Sequence, residues 1–353
     1  MPNKTLLSAL LFLVLLQVVP AQTKDYYFEE TPEEFKERMA WFKDAQFGMF
    51  IHFGLYSQLG GVWKGKEIWG IAEWIQAHAD IPSQEYAMLT HTFNPKNFDA
   101  DKIVKLAKDT GMKYLVVTSK HHEGFALYDS KYTNFDVAST PFKGRDILRE
   151  LKDACDKYGI KFGTYYSILD WHHISQERNI DGDSVQQRWK FARMKLGKTK
   201  DYETYVKNQV KELIENYDTE IMWFDGEWCD WWTDEMGINL YNYIRSLKPS
   251  IIINNRCFGV RENFEKDFGT PELETPDSVL DYNWEACYTL NDSWGFKMYD
   301  KNWKSPETVY NMLKEITGKG GNFLLNIGPD GNGDVPQESI DVLLEVGKML
   351  NQD

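Results

Sequence analysis

The stretch Ile221-Met-Trp-Phe-Asp225-Gly-Glu-Trp228 joins four apolar residues to a carboxylate and a glycine. The apolar run predicts a buried strand over residues 220–225, and the glycine after Asp225 allows the backbone to turn sharply. Apolar side chains at helical spacing precede and follow this strand, over residues 202–217 and 238–247. A strand between two helices indicates a fold with parallel strands.

The same alternation of strand and helix continues through most of the chain. The other predicted strands cover residues 47–53, 114–119, 161–167, 251–255, 283–289 and 322–327. The other predicted helices cover residues 101–110, 145–158, 305–317 and 337–350. No Gly-x-Gly-x-x-Gly sequence follows the first strand, which argues against a dinucleotide-binding sheet.

Polar side chains stand at the ends of most predicted strands. They are His52, His121, His122, Tyr165, Asp225, Arg256 and Glu285. A closed barrel brings the carboxyl ends of all its strands to one rim, whereas a doubly wound sheet gathers only those at its switch point. We therefore predict a TIM-like (β/α)8 barrel, with room for irregularity, as a single catalytic domain over residues 22–353 and without an appended C-terminal β-sandwich.

Composition narrows the choice of binding partner. The 353 residues carry a net charge of −14 and contain no basic block, which disfavours nucleic acid and anionic membrane surfaces as partners. Thirteen Trp and nineteen Tyr are many for this length. They fit an aromatic-rich core and a carbohydrate site equally well, since sugar faces stack on aromatic rings. The sequence has no signal for an oligomeric state.

The N-terminus has the pattern of a signal peptide over residues 1–21. Lys4 supplies the positive charge, residues 6–19 form the apolar region, and Ala21 ends a small-residue cleavage site. We expect an exported protein, either periplasmic or secreted.

The four cysteines are Cys155, Cys229, Cys257 and Cys287. They are sparse and form no Cys-x-x-Cys pair, unlike a disulfide scaffold or a zinc site. We expect four buried free thiols.

The residues at the predicted rim allow more than one chemistry. Asp225 is either a catalytic carboxylate, able to form a covalent glycosyl-enzyme with a second carboxyl group nearby, or a cap for the next segment. His52, His121 and His122 could bind a metal, contact sugar hydroxyls or be satisfied in the core. The absence of a His-x-His pair argues against the metal. Arg256 could bind a substrate group or form a rim salt bridge.

An ordered set of motifs resembles the α-L-fucosidases of glycoside hydrolase family 29. The resemblance begins at about Trp41 and runs to the C-terminus. It includes Trp41-Phe-Lys-Asp-Ala-Gln-Phe-Gly-Met-Phe-Ile-His-Phe-Gly, Glu73-Trp74, Lys120-His-His-Glu-Gly-Phe, Tyr165-Tyr-Ser, Trp223-Phe-Asp-Gly, Asn255-Arg256, Thr270-Pro-Glu272, Trp284-Glu285 and Ser293-Trp294-Gly.

This resemblance implies removal of terminal α-L-fucose from fucosylated oligosaccharides or glycoconjugates, with retention and without a metal or another cofactor. The family's nucleophile corresponds to Asp225. The implied pocket residues are His52, Glu73, Trp74, His121, His122, Tyr165, Trp223, Arg256 and Trp294. Glu272 is the expected acid/base, and Glu285 is the second candidate, otherwise a substrate-binding or supporting carboxylate. A metal-dependent barrel hydrolase and a non-catalytic sugar-binding protein remain the alternatives.

Overall fold

The computed structural model describes residues 29–177, 193–261 and 267–352. The main sheet has seven parallel strands in the order β6-β7-β1-β2-β3-β4-β5. The strands are β1 (Phe47–Ile51), β2 (Tyr114–Lys120), β3 (Lys161–Ser167), β4 (Ile221–Asp225), β5 (Ile252–Ile253), β6 (Glu285–Thr289) and β7 (Asn322–Ile327).

Residues 267–272, the closing segment, join the two edge strands of this sheet. Phe268 forms a parallel bridge with Asn254, just after β5, and Gly269 forms one with Trp284, just before β6. Glu272 pairs in the same way with Cys287. These isolated bridges occupy the position of an eighth strand and close the sheet into a barrel. The predicted TIM-like barrel is therefore confirmed, and its irregularity lies at the closing segment.

In the described ranges, seven longer helices surround the barrel or cover one end of it. They are α1 (Pro32–Ala45), α2 (Ala100–Thr110), α3 (Ile147–Tyr158), α4 (Thr199–Tyr217), α5 (Asp234–Leu247), α6 (Pro306–Gly318) and α7 (Gln337–Leu350). Asp146 caps α3 and Ser305 caps α6, as the sequence predicts, because each side chain accepts a hydrogen bond from the third residue beyond it. Within the described part of the chain, no helix has both the length and the apolar character needed to cross a membrane.

Shorter elements complete the described chain. One-turn helices cover Tyr56–Leu59, Ile75–His78 and Ser83–Ala87, and 3-10 turns cover Ala72–Trp74, Met88–His91, Val137–Ser139 and Asn255–Cys257. Two small antiparallel pairs join Val62–Trp63 to Lys66–Glu67 and Gln176–Glu177 to Arg193–Met194.

Helix α1 closes the end of the barrel at which the strands begin. Its Phe42 lies against Tyr114, the first residue of β2, and against Phe268 of the closing segment. The carbonyl of Phe42 accepts a hydrogen bond from the side chain of Asn322, the first residue of β7. Helix α1 leaves the opposite end of the barrel, where the strands finish, available for a ligand-binding site.

The core has an inner layer within the barrel and an outer layer beneath the helices. In β4, Ile221 and Trp223 pack in the inner layer with Phe50 and Leu324. Met222 and Phe224, which alternate with them along the strand, pack in the outer layer. This two-residue period turns Asp225, the next residue in the alternation, toward the inside of the rim.

The cysteines match their prediction. Cys155, Cys229, Cys257 and Cys287 are all buried, and all are free thiols.

Candidate active site

A cavity opens at the carboxyl ends of the strands, inside the rim. It is lined by Phe50, His52, Ile71, Glu73, Trp74, His121, His122, Tyr165, Trp223, Asp225, Trp228, Arg256, Glu272, Cys287 and Trp294. Every site residue predicted from the sequence except Glu285 is in this lining. The barrel brings together side chains that are separated by more than two hundred positions in the chain, as its geometry requires.

Asp225 is held by three neighbouring side chains. Its Oδ1 accepts a hydrogen bond from Nη1 of Arg256 at 2.9 Å, and its Oδ2 accepts one from the hydroxyl of Tyr165 at 3.0 Å. The Nε2 atom of His122 lies 3.6 Å from Oδ2. Burial by itself would raise the pKa of Asp225, but the charge of Arg256, assisted by His122 and Arg261, holds it well below its usual range. Asp225 is therefore an ionised carboxylate that points into the cavity.

Arg256 joins Asp225 to Glu272. Its Nη2 donates to Oε2 of Glu272 at 2.8 Å, and its Nε donates to the hydroxyl of Thr270 at 2.8 Å. The guanidinium carbon lies 4.6 Å from the ring centre of Trp223, so the planar group also stacks on the cavity floor. Of the two alternatives for Arg256, the structure shows the rim salt bridge, with both of its carboxylate partners in the cavity lining.

The two carboxylates differ in their access to solvent. The side chain of Asp225 is 14% exposed, whereas that of Glu272 is 40% exposed. Glu272 thus stands at the mouth of the cavity and Asp225 on its inner wall. Such a difference suits a nucleophile that meets the sugar and an acid that meets the departing group.

Glu285 does not line the cavity. It is the first residue of β6, so it points into the barrel beneath the site, and it is fully buried. Its two oxygens accept hydrogen bonds from the hydroxyl of Tyr114 at 2.5 Å and from Nε1 of Trp223 at 2.8 Å. Burial raises its pKa to about 7. The predicted substrate contact of Glu285 has no support in this geometry, because Glu285 is absent from the lining and is hydrogen-bonded to Trp223, which is part of it.

The three predicted histidines meet around the cavity. Nδ1 of His52 is hydrogen-bonded to Asn326 and Nδ1 of His122 to Ser167, both at 2.7 Å. His121 stacks on the ring of Tyr165 with 5.3 Å between the centroids. Burial lowers the pKa of all three, to about 3 for His52, to about 4 for His122 and well below the usual value for His121. They are neutral rings, each able to donate from one nitrogen and accept at the other.

The cavity wall also offers hydrogen-bonding atoms without protein partners. Among the described residues, Nδ1 of His121 and Oε1 of Glu73 are buried without one. The other oxygen of Glu73 accepts from the amide of Gly295 at 2.8 Å, and burial raises the pKa of this carboxyl group to about 7. Buried polar atoms of this kind are costly unless a ligand completes them. Together with the rings of Trp74 and Trp294, they fit a flat, hydroxyl-bearing ligand.

In the portion of the chain that the structure describes, no three His, Cys, Asp or Glu side chains are grouped as metal ligands. The Nδ1 atoms of His52 and His122 are each hydrogen-bonded to a neutral side chain of the barrel.

Sequence reasoning missed two side chains near Asp225. Trp228 lines the cavity and packs edge-on against His122, 5.5 Å between centroids. Arg261 lies 3.9 Å from Oδ1 of Asp225 and donates a short hydrogen bond to Glu227. Trp228 is only three residues beyond the strand and could have been included on that ground. Arg261 comes near through the folding of its loop, which no local pattern indicates.

Comparison with known proteins agrees with this geometry. The family model described as alpha-L-fucosidase matches residues 13–353. An alpha-L-fucosidase of Dictyostelium discoideum is 28% identical over 339 residues, which cover 88% of this chain and 69% of that protein. The structure resembles an alpha-L-fucosidase of Lactobacillus casei solved with its alpha-L-fucose product (TM-score 0.79, 37% identity, 90% of this chain and 98% of the other).

A second solved structure captures a reaction step in a relative. It is a trapped covalent intermediate of a family 29 alpha-L-fucosidase from Bacteroides thetaiotaomicron, obtained with 2-fluoro-fucosyl fluoride. Its TM-score is 0.81 and its identity 31%, with 93% of this chain and 77% of the other covered. The chain therefore belongs to the alpha-L-fucosidase family, the glycoside hydrolases of family 29.

Proposed function

We propose that this protein is a retaining exo-α-L-fucosidase in which Asp225 is the nucleophile and Glu272 the general acid/base. The observation that carries the proposal is the single guanidinium of Arg256, which is hydrogen-bonded to both carboxylates at the cavity. A group shared in this way keeps the carboxylates close together. Retaining glycosidases need two closely spaced carboxyl groups, roughly 5 Å apart, because the nucleophilic carboxylate itself must reach the anomeric carbon.

In the first step, a carboxylate oxygen of Asp225 attacks C1 of the fucosyl unit while the bond from C1 to the glycosidic oxygen breaks. Glu272, protonated at this stage, transfers its proton to that oxygen, and the defucosylated alcohol leaves. The electron pair of the broken bond stays on the departing oxygen. The product on the enzyme is a β-linked fucosyl ester of Asp225.

In the second step, Glu272 accepts a proton from water while the water oxygen attacks C1. The ester bond breaks, Asp225 recovers its negative charge, and Glu272 is protonated again. Two inversions at C1 give α-L-fucose. The low pKa of Asp225 serves both steps, since it keeps the nucleophile ionised and makes the carboxylate a good leaving group.

The cavity walls account for recognition of the sugar. His52, His121 and Glu73 offer a mixture of donors and acceptors to hydroxyl groups, and the tryptophans offer apolar faces to the ring and its methyl group. A site that forms hydrogen bonds with hydroxyl groups strongly rejects sugars without those groups, because its own buried polar atoms would then stay unpaired.

The test of this assignment uses azide with an aryl α-L-fucoside. In Asp225→Gly, azide replaces the nucleophile and should give β-L-fucosyl azide. In Glu272→Ala, azide attacks the fucosyl ester and should give the α-anomer. Glu285→Gln is the matched control, and it should need no azide. The assignment would be reversed if azide restored activity to a Glu285 variant and gave α-L-fucosyl azide, while Glu272→Ala still hydrolysed unactivated glycans without azide.

We also propose that the protein is exported, on the basis of residues 1–21, which lie outside the described residues. N-terminal sequencing of the mature protein should begin at Gln22. An intact N-terminus on protein retained in the cytoplasm would contradict the proposal.

A further inference from the structure

A row of three stacked rings leads from the cavity wall to the surface. Trp74, which lines the cavity, lies 6.2 Å from the ring of His78 at an angle of 29°. The ring of His78 is covered in turn by Trp69, with 4.7 Å between centroids and an angle of 19°. Trp69 ends the row and is 64% exposed. Its outer face is therefore a flat apolar surface just outside the cavity.

The loop that carries Trp69 is fixed by its neighbours. Gly70 has a φ of +84°, and a Cβ atom there would lie 2.4 Å from the ring of His78, so only glycine lets the backbone lie on this ring. The carbonyl of Gly70 accepts a hydrogen bond from Nζ of Lys297 at 2.8 Å. On the other side, the amide of Ile68 donates to the carbonyl of Gly61 at 2.8 Å. The indole is thus presented to solvent by a constrained loop.

We infer that Trp69 is a stacking platform for the saccharide to which the fucosyl unit is attached. The inference rests on the proposed function. The fucosyl ring occupies the cavity, so the leaving group is the part of the substrate that must extend outward past the rim. An exposed indole face beside that rim matches the C–H face of a pyranose. The cation of Lys297 beside the loop favours a neutral or acidic saccharide over a cationic ligand.

The platform contacts only the leaving-group saccharide, so its effect can be measured by comparing substrates with and without that saccharide. The variant is Trp69→Ala, and the two substrates are α-L-fucosyl fluoride, whose leaving group is a single atom, and a fucosylated trisaccharide. We expect kcat/KM for the trisaccharide to fall about tenfold, in line with the loss of one stacked ring, and the value for the fluoride to stay within about twofold. Trp69→Phe should recover part of the loss. The free defucosylated disaccharide should inhibit Trp69→Ala more weakly than the original protein.

Tyr132→Ala is the matched control, because Tyr132 is an exposed aromatic residue (45%) that does not line the cavity. It should leave both substrates unchanged. Equal losses with the fluoride and the trisaccharide would overturn the inference, since Trp69 would then only support the cavity. Unchanged values with both substrates would overturn it as well. A failure of the proposed function looks different, because the original protein would then turn over neither substrate.

Discussion

Nη1 of Arg256 donates to Oδ1 of Asp225 at 2.9 Å, and the same guanidinium reaches Glu272 with its other terminal nitrogen. Arg256 is itself buried against Trp223, so its charge is poorly screened by water. The ion pair therefore positions Asp225, keeps it ionised and holds Glu272 beside it.

The first prediction concerns Arg256→Met. Burial raises the pKa of Asp225, and without the opposing charge of Arg256 this carboxyl group should protonate at a higher pH. Activity that needs ionised Asp225 is then lost at a higher pH than in the original protein. We expect kcat/KM at neutral pH to drop by about 100-fold or more and its acid limb to move upward. The pH profile of kcat/KM measures both.

Arg145→Met is the control for this profile, because Arg145 pairs with Glu150 on the outside of the barrel. It should keep the original profile. An Arg256→Met protein with an unshifted acid limb would contradict the role given to the guanidinium.

The second prediction separates support from catalysis at Glu285. Glu285→Ala leaves the hydroxyl of Tyr114 and Nε1 of Trp223 buried without an acceptor, which costs on the order of 2 to 5 kcal/mol of folding free energy. Glu285→Gln keeps an acceptor for Trp223 and should cost much less. Denaturant unfolding and kcat on an aryl fucoside distinguish the two variants. If Glu285→Gln folded normally but lost activity by several orders of magnitude, the supporting role would be wrong.

The third prediction is a pH dependence of stability. Burial raises the pKa of Glu123 to about 8 in the folded protein, although Leu55 and Tyr86 donate hydrogen bonds to it. A carboxyl group of raised pKa binds its proton more tightly when folded, so stability falls as the pH rises from about 4.5 to about 8. Glu123→Gln removes this contribution. Between pH 5 and pH 8, we expect the original protein to lose on the order of 3 kcal/mol relative to the variant.

Urea unfolding of both proteins across this pH range measures the difference. Parallel stability curves would show that Glu123 does not change its protonation between those limits.

The fourth prediction uses two glycines with similar backbone angles. Gly226, directly after Asp225, has a φ of +81°, and a Cβ atom there would lie 2.7 Å from the amide nitrogen of Leu169. Gly144 has a φ of +88° but no atom within 4 Å of its Cβ position. Both alanine variants incur the strain of a left-handed residue, about 1 to 2 kcal/mol. Gly226→Ala must also displace the backbone beside Asp225, the proposed nucleophile, so it alone should lower kcat on an aryl fucoside. Equal kcat values for the two variants would contradict this account.

The sequence alone predicts the barrel because its strands have regular apolar patterns that local reading can detect. Barrel geometry brings strand ends together, so the sequence also predicts six of the fifteen lining residues: His52, His121, His122, Tyr165, Asp225 and Arg256. Asp225 is the clearest case, since it ends an apolar run and is followed by a glycine. The motifs shared with the fucosidases add Trp223, within a predicted strand, and four residues outside the predicted strands: Glu73, Trp74, Glu272 and Trp294.

The parts that local patterns do not predict depend on tertiary contacts. The closing segment pairs only through isolated bridges, so residues 267–272 have no strand pattern to detect. Helix α1 lies in an acidic stretch that does not resemble a core helix, yet Arg38 pairs with the buried Asp267 at 2.8 Å and Phe42 packs into the barrel. From the sequence, Glu285 is grouped with the rim residues although it stands near the beginning of the predicted strand 283–289, and its pairing with Asn322 places it at the opposite end of the barrel from the rim.

The central claim, that Asp225 becomes covalently linked to the sugar, is tested most directly by mass spectrometry of the protein after incubation with 2-fluoro-fucosyl fluoride. We predict one added 2-deoxy-2-fluorofucosyl group per chain, located on the peptide that contains Asp225, and loss of activity in parallel with labelling. Labelling of a different carboxylate would contradict this claim. Hydrolysis of the reagent to an inverted product, without accumulation of an ester, would contradict it as well.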